Sequence, residues 1–408
     1  MFAGVSGLRS HQTMMDVIGN NVANVNTIGF KSSRVEFADA LSQMLRGATN
    51  GNNGSSGSVN PEQVGLGTSI AATDIQFNQG GTQLTGNATD VSIQGEGMFI
   101  VRSNGESLYT RAGAFHFDNT GFLVNPTGAI VQGWRADSTG KVNKSLPIGD
   151  MKIAIGQTVD PVATTSIQVR GNVSATEQVG DAPHASVIDV IDSQGIKQRM
   201  TLSFTKTADN AWKVDVTDPS GTSLGTSDLA FDPATGLLTS PTTPPSFTFT
   251  PASGAPLTFT LDLGTAESSH VTQFGSSTDV QAVSQNGNQA GELRSFALGA
   301  DGSVSGVYSN GASKTLGQLA LATFQDPKGL IATGGTSYRT SAASGDAIIG
   351  AAGEVGRGAV EAGTLEMSNV ELSQEFTNLI LAQRGFQASS KIITTSDEMI
   401  QDLVNLKR

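Results

Sequence analysis

Apolar residues return at every seventh position at both ends of the chain. In the last fifty residues, Leu365, Leu372, Leu379, Phe386, Ile393 and Ile400 keep strict register. A second stripe begins four residues after Leu372 and runs Phe376, Gln383, Ser390, Asp397 and Val404, apolar only at its ends. This spacing predicts a helix from about Leu365 to Leu406 with a coiled-coil-like seam. Near the start, Leu8, Met15 and Val22 repeat by seven, and His11, Ile18 and Val25 follow each by three. The second pattern predicts a helix from about Gly4 to Val25. The two ends therefore carry matching seams, which can pair with each other or with other copies of the chain.

Between the helices the period changes. Residues 31–75 include "RGATNGNNGSSGSVNPEQVGLG", rich in Gly, Asn and Ser and nearly free of large apolar groups. It reads as a flexible or loosely packed connector, and the part from Arg46 to Gly67 is expected to be compliant. From about Ala72 the alternation is that of strands, with Asn104-Gly105, Asn119-Thr120-Gly121, Pro126-Thr127-Gly128, Asp301-Gly302 and Asn310-Gly311 as turn signals. The fold class is thus mainly β with terminal α-helices. The similar ends and dissimilar middle suggest nesting: 1–30 with 360–408 as a helical terminal domain, 31–75 as linker, 76–149 with 275–359 as an inner β domain, and 150–274 as an inserted outer β domain.

Composition narrows the function. A chain of 408 residues is too long for one compact core. Its net charge of -12 argues against nucleic acid and anionic membrane surfaces as partners. No window approaches the ~20 apolar residues that a membrane-spanning helix needs. The absence of Cys excludes disulfides and thiolate metal sites. The first residues lack the basic start and continuous apolar core of a secretory signal peptide, so export, if it occurs, is expected to proceed without a cleaved signal.

Catalytic sets are hard to find, and no enzyme, cofactor or metal is expected. His11, His116, His184 and His270 lack metal-ligand spacing, and His11 lies on the helical seam, where packing is its expected role. "VGLGTS" and "GEGMF" lack the third Gly and the helix of a dinucleotide loop. Asp118, Asp137 and Asp301 stand in turn-like contexts, where Asp accepts from backbone N–H groups rather than binding calcium.

One stretch is far more specific. "SGLRSHQTMMDVIGNNVANVNTIGFKSSRVEF", residues 6–37, holds Asn20, Asn21, Asn24, Asn26, Thr27, Gly29, Phe30 and Lys31 in a fixed string. It closely resembles the N-terminal signature of the bacterial flagellar rod and hook protein family. "GTLEMSNVELSQEFTNLILAQRGFQASSKIITTSDEMIQDLVNLKR", residues 363–408, resembles the signature at the other end. Within the family, the length and the inserted β segment resemble a hook-type subunit, with a distal-rod-type protein as the alternative. A secreted β-rich adhesin or enzyme is the rival from another class, with weak support from only two Trp and three Tyr. The resemblance implies a homopolymer of many copies forming a curved, hollow, extracellular tube that transmits motor torque. It also implies distal-rod, cap and junction proteins and the flagellar export apparatus as partners. Subunit contacts are expected along the seam residues named above. The Asn side chains are expected to bond across neighbouring copies and to fix their register, with Gly29 free to take a positive φ at the helix exit.

Overall fold

A computed structural model describes residues 2–48, 58, 60–153, 156, 158–252, 254–264 and 270–405. The chain divides into two compact units. One comprises Met1–Ala154, Phe296–Ser305 and Lys314–Arg408, the other Ile155–Ser295 and Gly306–Ser313. The structure is mostly β, with one long helix near each end. None of the described helices is long and apolar enough to cross a membrane.

The second unit is an antiparallel sheet and a mixed sheet with a shared core. One sheet runs His184–Ile191, Lys197–Ala208, Ala211–Thr217, Ser223–Phe231, Leu238–Ser240 in sequence order. Its strands alternate as a half-buried strand must: Met200, Leu202 and Phe204 point inward on one strand, Trp212, Val214 and Val216 on the next. The other sheet is centred on Ser166–Ser174, which pairs with Leu257–Asp262, Val271–Phe274 and Gln281–Gln285. Ile167, Val169, Phe259 and Leu261 from this sheet join the same cluster as the first three strands' apolar residues. That is sandwich packing.

The first unit carries α1 (Phe2–Ala23) and α2 (Leu372–Asn405) on a β body. α1 is followed by β1 (Ser33–Asp39), β2 (Ser42–Arg46), β3 (Glu62–Gly65) and β4 (Thr68–Ile75). β1 pairs with β4 and β2 with β3, both antiparallel. Within residues 31–75 the strands β1 to β4 thus form a ribbon of two antiparallel pairs, where composition suggests a loose connector. The reason is local. Val35 and Phe37 alternate with polar neighbours in β1, and this signal is diluted by the Gly/Asn/Ser stretch that follows. The central part of that stretch, 49–57, lies outside the described residues.

β5 (Thr82–Leu84) and β6 (Val91–Gln94) pair with Thr364–Glu366 and Ala359–Ala362 respectively. The segment just before α2 is thus woven into the body. Met98–Ser103, Glu106–Thr110 and Ser337–Arg339 form successive antiparallel neighbours. Met98, Ile100, Tyr109, Trp134, Ala322 and Tyr338 fill part of the core beneath them. Asn104 and Gly105 close the first hairpin with φ of 52° and 85°, the paired positive φ of a two-residue turn.

The hairpins share a chemical device. Asp137 Oδ1 accepts from the Thr139 N–H and hydroxyl and from the Lys141 N–H. Asp118 does the same with Thr120 and Phe122, and Asp218 with Ser220 and Thr222. Asp301 accepts from the N–H and hydroxyl of Ser303. These carboxylates are turn caps, as expected for Asp118, Asp137 and Asp301. The hydroxyls of Thr139, Ser220 and Ser303, followed by backbone N–H groups, hold Asp137, Asp218 and Asp301 below the usual carboxylate range. A carboxyl depressed in the folded state stabilises above its unfolded pKa, and that contribution is lost as pH falls through the folded value. Urea unfolding is therefore expected to show stability declining below the ordinary carboxylate range. Changing all three to Asn keeps an acceptor and should flatten the decline. An unchanged acid limb in the triple variant would refute the assignment.

Candidate functional site

The two helices run antiparallel. A Cβ added at Gly4 would meet Ile393 Cγ1 at 3.2 Å, and one at Gly7 would meet Ser389 Oγ at 2.7 Å. A Cβ on Gly385 would overlap the His11 ring. At the other end of the pair, Asn21 lies beside Glu375. Small residues therefore let the backbones approach closely. Ile18 and Ala382 are buried in the pair, while Leu8, His11, Met15, Val22, Leu379, Phe386 and Ile393 are half-buried.

The seam prediction departs from the structure at its edges. Val25 lies past the end of α1, in the turn. Leu365 is buried in the strand Thr364–Glu366, not in α2, which starts seven residues later. Leu365 continues the seven-residue count, but backbone pairing with β5 holds it extended. Leu406 lies outside the described residues. Leu372, Phe376, Ile400 and Val404 are exposed, at 40%, 50%, 49% and 65%, so this chain's own α1 does not cover them.

The Asn-rich string is a junction. α1 ends at Ala23, and Asn24 closes the turn by donating to the Asn20 carbonyl at 2.9 Å and accepting from the Thr27 hydroxyl at 3.0 Å. Asn21, 1% exposed, donates to the Ser33 carbonyl at 2.8 Å and accepts from the Ser33 N–H at 2.9 Å. It also donates to Glu375 Oε1 at 3.1 Å. One side chain thus ties α1 to the start of β1 and to the first turn of α2. These bonds lie within one chain. Asn21 and Asn24 thus already have partners in their own chain, while Asn20 and Asn26 are exposed. Burial pushes the Glu375 carboxyl up, opposed by the Asn21 amide. Replacing Asn21 with Leu would leave the half-buried Ser33 N–H and carbonyl unpaired and is expected to cost about 1–3 kcal/mol. Asn26→Leu should be nearly neutral. Urea unfolding of both variants checks this, and equal losses would refute it.

Gly29 follows with φ 67°. Its N–H donates to the Glu366 carbonyl at 2.8 Å, and an added Cβ would lie 2.5 Å from Ala112 N. Two residues on, Lys31 is fully buried. Its Nζ donates to Glu366 Oε1 at 2.5 Å and to the Asn78 carbonyl at 2.7 Å. Arg111 donates from Nη1 to Glu366 Oε2 at 3.2 Å and from Nη2 to the Gly95 carbonyl at 2.8 Å. The Gly80 N–H completes the carboxylate's shell at 3.0 Å. Burial pushes the Lys31 ammonium and the Arg111 guanidinium down from their ordinary values, and the Glu366 carboxylate opposes both shifts. Asn369 adds a stitch. Its Oδ1 accepts from Ser32 N–H at 2.8 Å, and its Nδ2 donates to the carbonyls of Gln76 and Asn78.

Lys31, Asn21 and Gly29 were visible as parts of a motif. Glu366, Arg111, Asn369 and Glu375 were not singled out by sequence reasoning. The available signal for Glu366 is an acid set between Leu365 and Met367, at the start of a segment read as apolar seam. The arrangement binds parts of one chain together: the string after α1, the segment before α2 and the β body meet at one buried carboxylate.

Both halves of this junction fall in family matches. Residues 1–31 match the family described as flagella basal body rod protein, and 361–406 match the flagellar basal body rod FlgEFG protein C-terminal family. Residues 92–175 match the flagellar hook protein FlgE/F/G D1 domain, and 180–288 the flagellar basal body protein FlaE D2 domain. The flagellar hook protein FlgE of Treponema pallidum is 41% identical, over 100% of this chain and 99% of its own length. This chain belongs to the flagellar hook protein family. The FlgE hook proteins of Salmonella typhimurium and Escherichia coli are 35% and 34% identical, each over 99% of this chain and 98% of its own. A crystal structure of Helicobacter pylori flagellar hook protein FlgE2 shares the fold, with a TM-score of 0.55 at 16% identity over 70% of this chain and 100% of that one. In this hook-family chain the signatures at both ends supply Asn21, Gly29, Lys31, Glu366 and Asn369 to the buried junction.

Proposed function

We propose that this chain is the structural subunit of the flagellar hook, a curved hollow tube of many copies that carries torque from motor to filament. The observation that supports this most is the unfinished helix pair. The junction locks both ends to the β body, yet α2 leaves Phe376, Ile380, Leu381, Ile392, Ile400 and Val404 exposed. Apolar faces of this kind mark interaction surfaces. Contacts between different faces of successive copies build an open helical polymer when their rotation does not close into a ring. In this reading the seam residues Leu8, Met15, Ile18, Val22, Leu372, Phe376, Leu379, Phe386, Ile393, Ile400 and Val404 line or support contacts between copies. The polymer would join the distal rod below and the junction proteins above, grow beneath a cap, and be supplied through the flagellar export apparatus.

Electron microscopy of the concentrated protein, together with cells lacking its gene, tests the proposal. Curved hollow tubes in vitro and cells that keep rods but lack hooks are the expected outcome. Loss of the rod itself would replace this reading with the distal-rod one.

A further inference from the structure

Two features at the same end of the helix pair fit each other but cannot meet within one chain. The first is an overhang. Gly4 packs at Ser389 and Ile393, so α2 runs on past the start of α1 as far as Asn405. On this overhang Met399, Ile400, Leu403 and Val404 are 58%, 49%, 68% and 65% exposed. Their i, i+1, i+4, i+5 spacing makes one continuous apolar stripe, flanked by Asp397, Glu398 and Asp402. The second is a groove of about 620 Å³ between the first turns of α1 and the ribbon. Phe2, Val5, Leu66 and Ile70 supply its apolar walls, and Arg9 is the charged residue of its lining. Ser6 and Ser10 also line it; the Ser6 hydroxyl accepts from the Thr68 N–H, and the Ser10 hydroxyl bonds the Thr68 hydroxyl.

We infer that the α2 overhang of one copy docks in the α1–ribbon groove of a second copy. This rests on the polymer reading above and assigns one of its contacts. Three observations select this occupant. The stripe is apolar, like the groove walls. Its three acids complement Arg9. The last turn of α2 is the negative end of a long helix dipole, and the groove lies at the positive end of α1. Self-docking is excluded by length: Val404 lies eleven residues beyond Ile393, about 16 Å along a rigid helix. The same length requires the second copy to be displaced along the helix direction by a similar amount.

The lack of native Cys makes the test clean. The full chain is prepared with Val5→Cys and Val404→Cys together, with each alone, and with a second pair, Leu66→Cys and Leu403→Cys. Polymers are oxidised and run on a denaturing gel without reductant. The expected result is a ladder of dimers, trimers and higher species from at least one pair and dimers at most from the single variants, because disulfides need Cα atoms within about 7 Å. Polymers that form normally and give no ladder from either pair overturn the contact while leaving the polymer reading intact. Crosslinked monomer overturns it too, because the overhang would then reach its own groove. Failure of the unaltered chain to polymerise removes the polymer reading itself. A charge swap provides the second measurement. Arg9→Glu should slow elongation about tenfold, and adding Asp397→Lys with Asp402→Lys should restore most of the rate. Equal elongation by all three proteins would also overturn the contact.

Discussion

Replacing Glu366 with Ala is expected to destabilise the helix-bearing unit by about 3–5 kcal/mol, the cost of leaving buried charge without its partner. One carboxylate faces two buried cations, Lys31 and Arg111, and also accepts from the Gly80 N–H. Its removal leaves both cations with only carbonyl acceptors, at Asn78 and Gly95. Arg111 already holds one buried Nε–H without a partner, so little capacity remains to absorb the loss. Thermal unfolding should resolve the effect as a fall of roughly 6–20 °C in the transition of that unit, with the sandwich transition unmoved. Two units make a single two-state fit inappropriate, so the transitions should be followed separately. Adding Lys31→Met to the variant should recover part of the stability, because one stranded charge goes with it. A Glu366→Ala protein within about 1 kcal/mol of the parent would show that the triad does not hold the junction.

The second large effect is expected at Gly29. Gly29→Ala forces an L side chain into the left-handed region, which costs about 1–2 kcal/mol. It also drives Cβ against the backbone at Ala112, with no flexible side chain to move aside. Backbone shifts of this kind add about 1–3 kcal/mol. The same movement would lengthen the Gly29 bond to the Glu366 carbonyl, so damage should spread to the ion triad. Hydrogen exchange offers a direct readout: amides of residues 29–33 and 364–369 should lose protection together. Loss confined to residues 29–31 would mean that the glycine serves only its own turn.

Periodicity revealed the helices because α1 and α2 are long, and their partly buried faces recur at a spacing that the chain itself records. It overreached at Leu365 for the same reason. A count of seven cannot register that the backbone around Leu365 is captured by Thr82–Leu84, nearly three hundred residues earlier. The ribbon was missed because its alternating strands flank a polar stretch that dominates any composition window. The site was half visible. Asn21, Gly29 and Lys31 stand in one memorable string, but their partners Glu375, Ala112 and Glu366 are scattered, and nothing local in the sequence marks them as neighbours. The turn caps were the opposite case. Asp137 and its acceptor geometry lie within five residues, so the sequence alone was sufficient.

That difference between near and far partners sets a folding order. In the His184–Ser240 sheet, each strand pairs with the next along the chain and short capped turns close the hairpins, contacts that form early and fast. The Lys31–Glu366 pair spans 335 positions and cannot close until nearly the whole chain is free. A folding chain would therefore complete its sandwich first and join its two ends last. The helix pair, and the surfaces it offers to other copies, would exist only on finished molecules. Chain connectivity itself would then keep half-folded chains from associating through that pair.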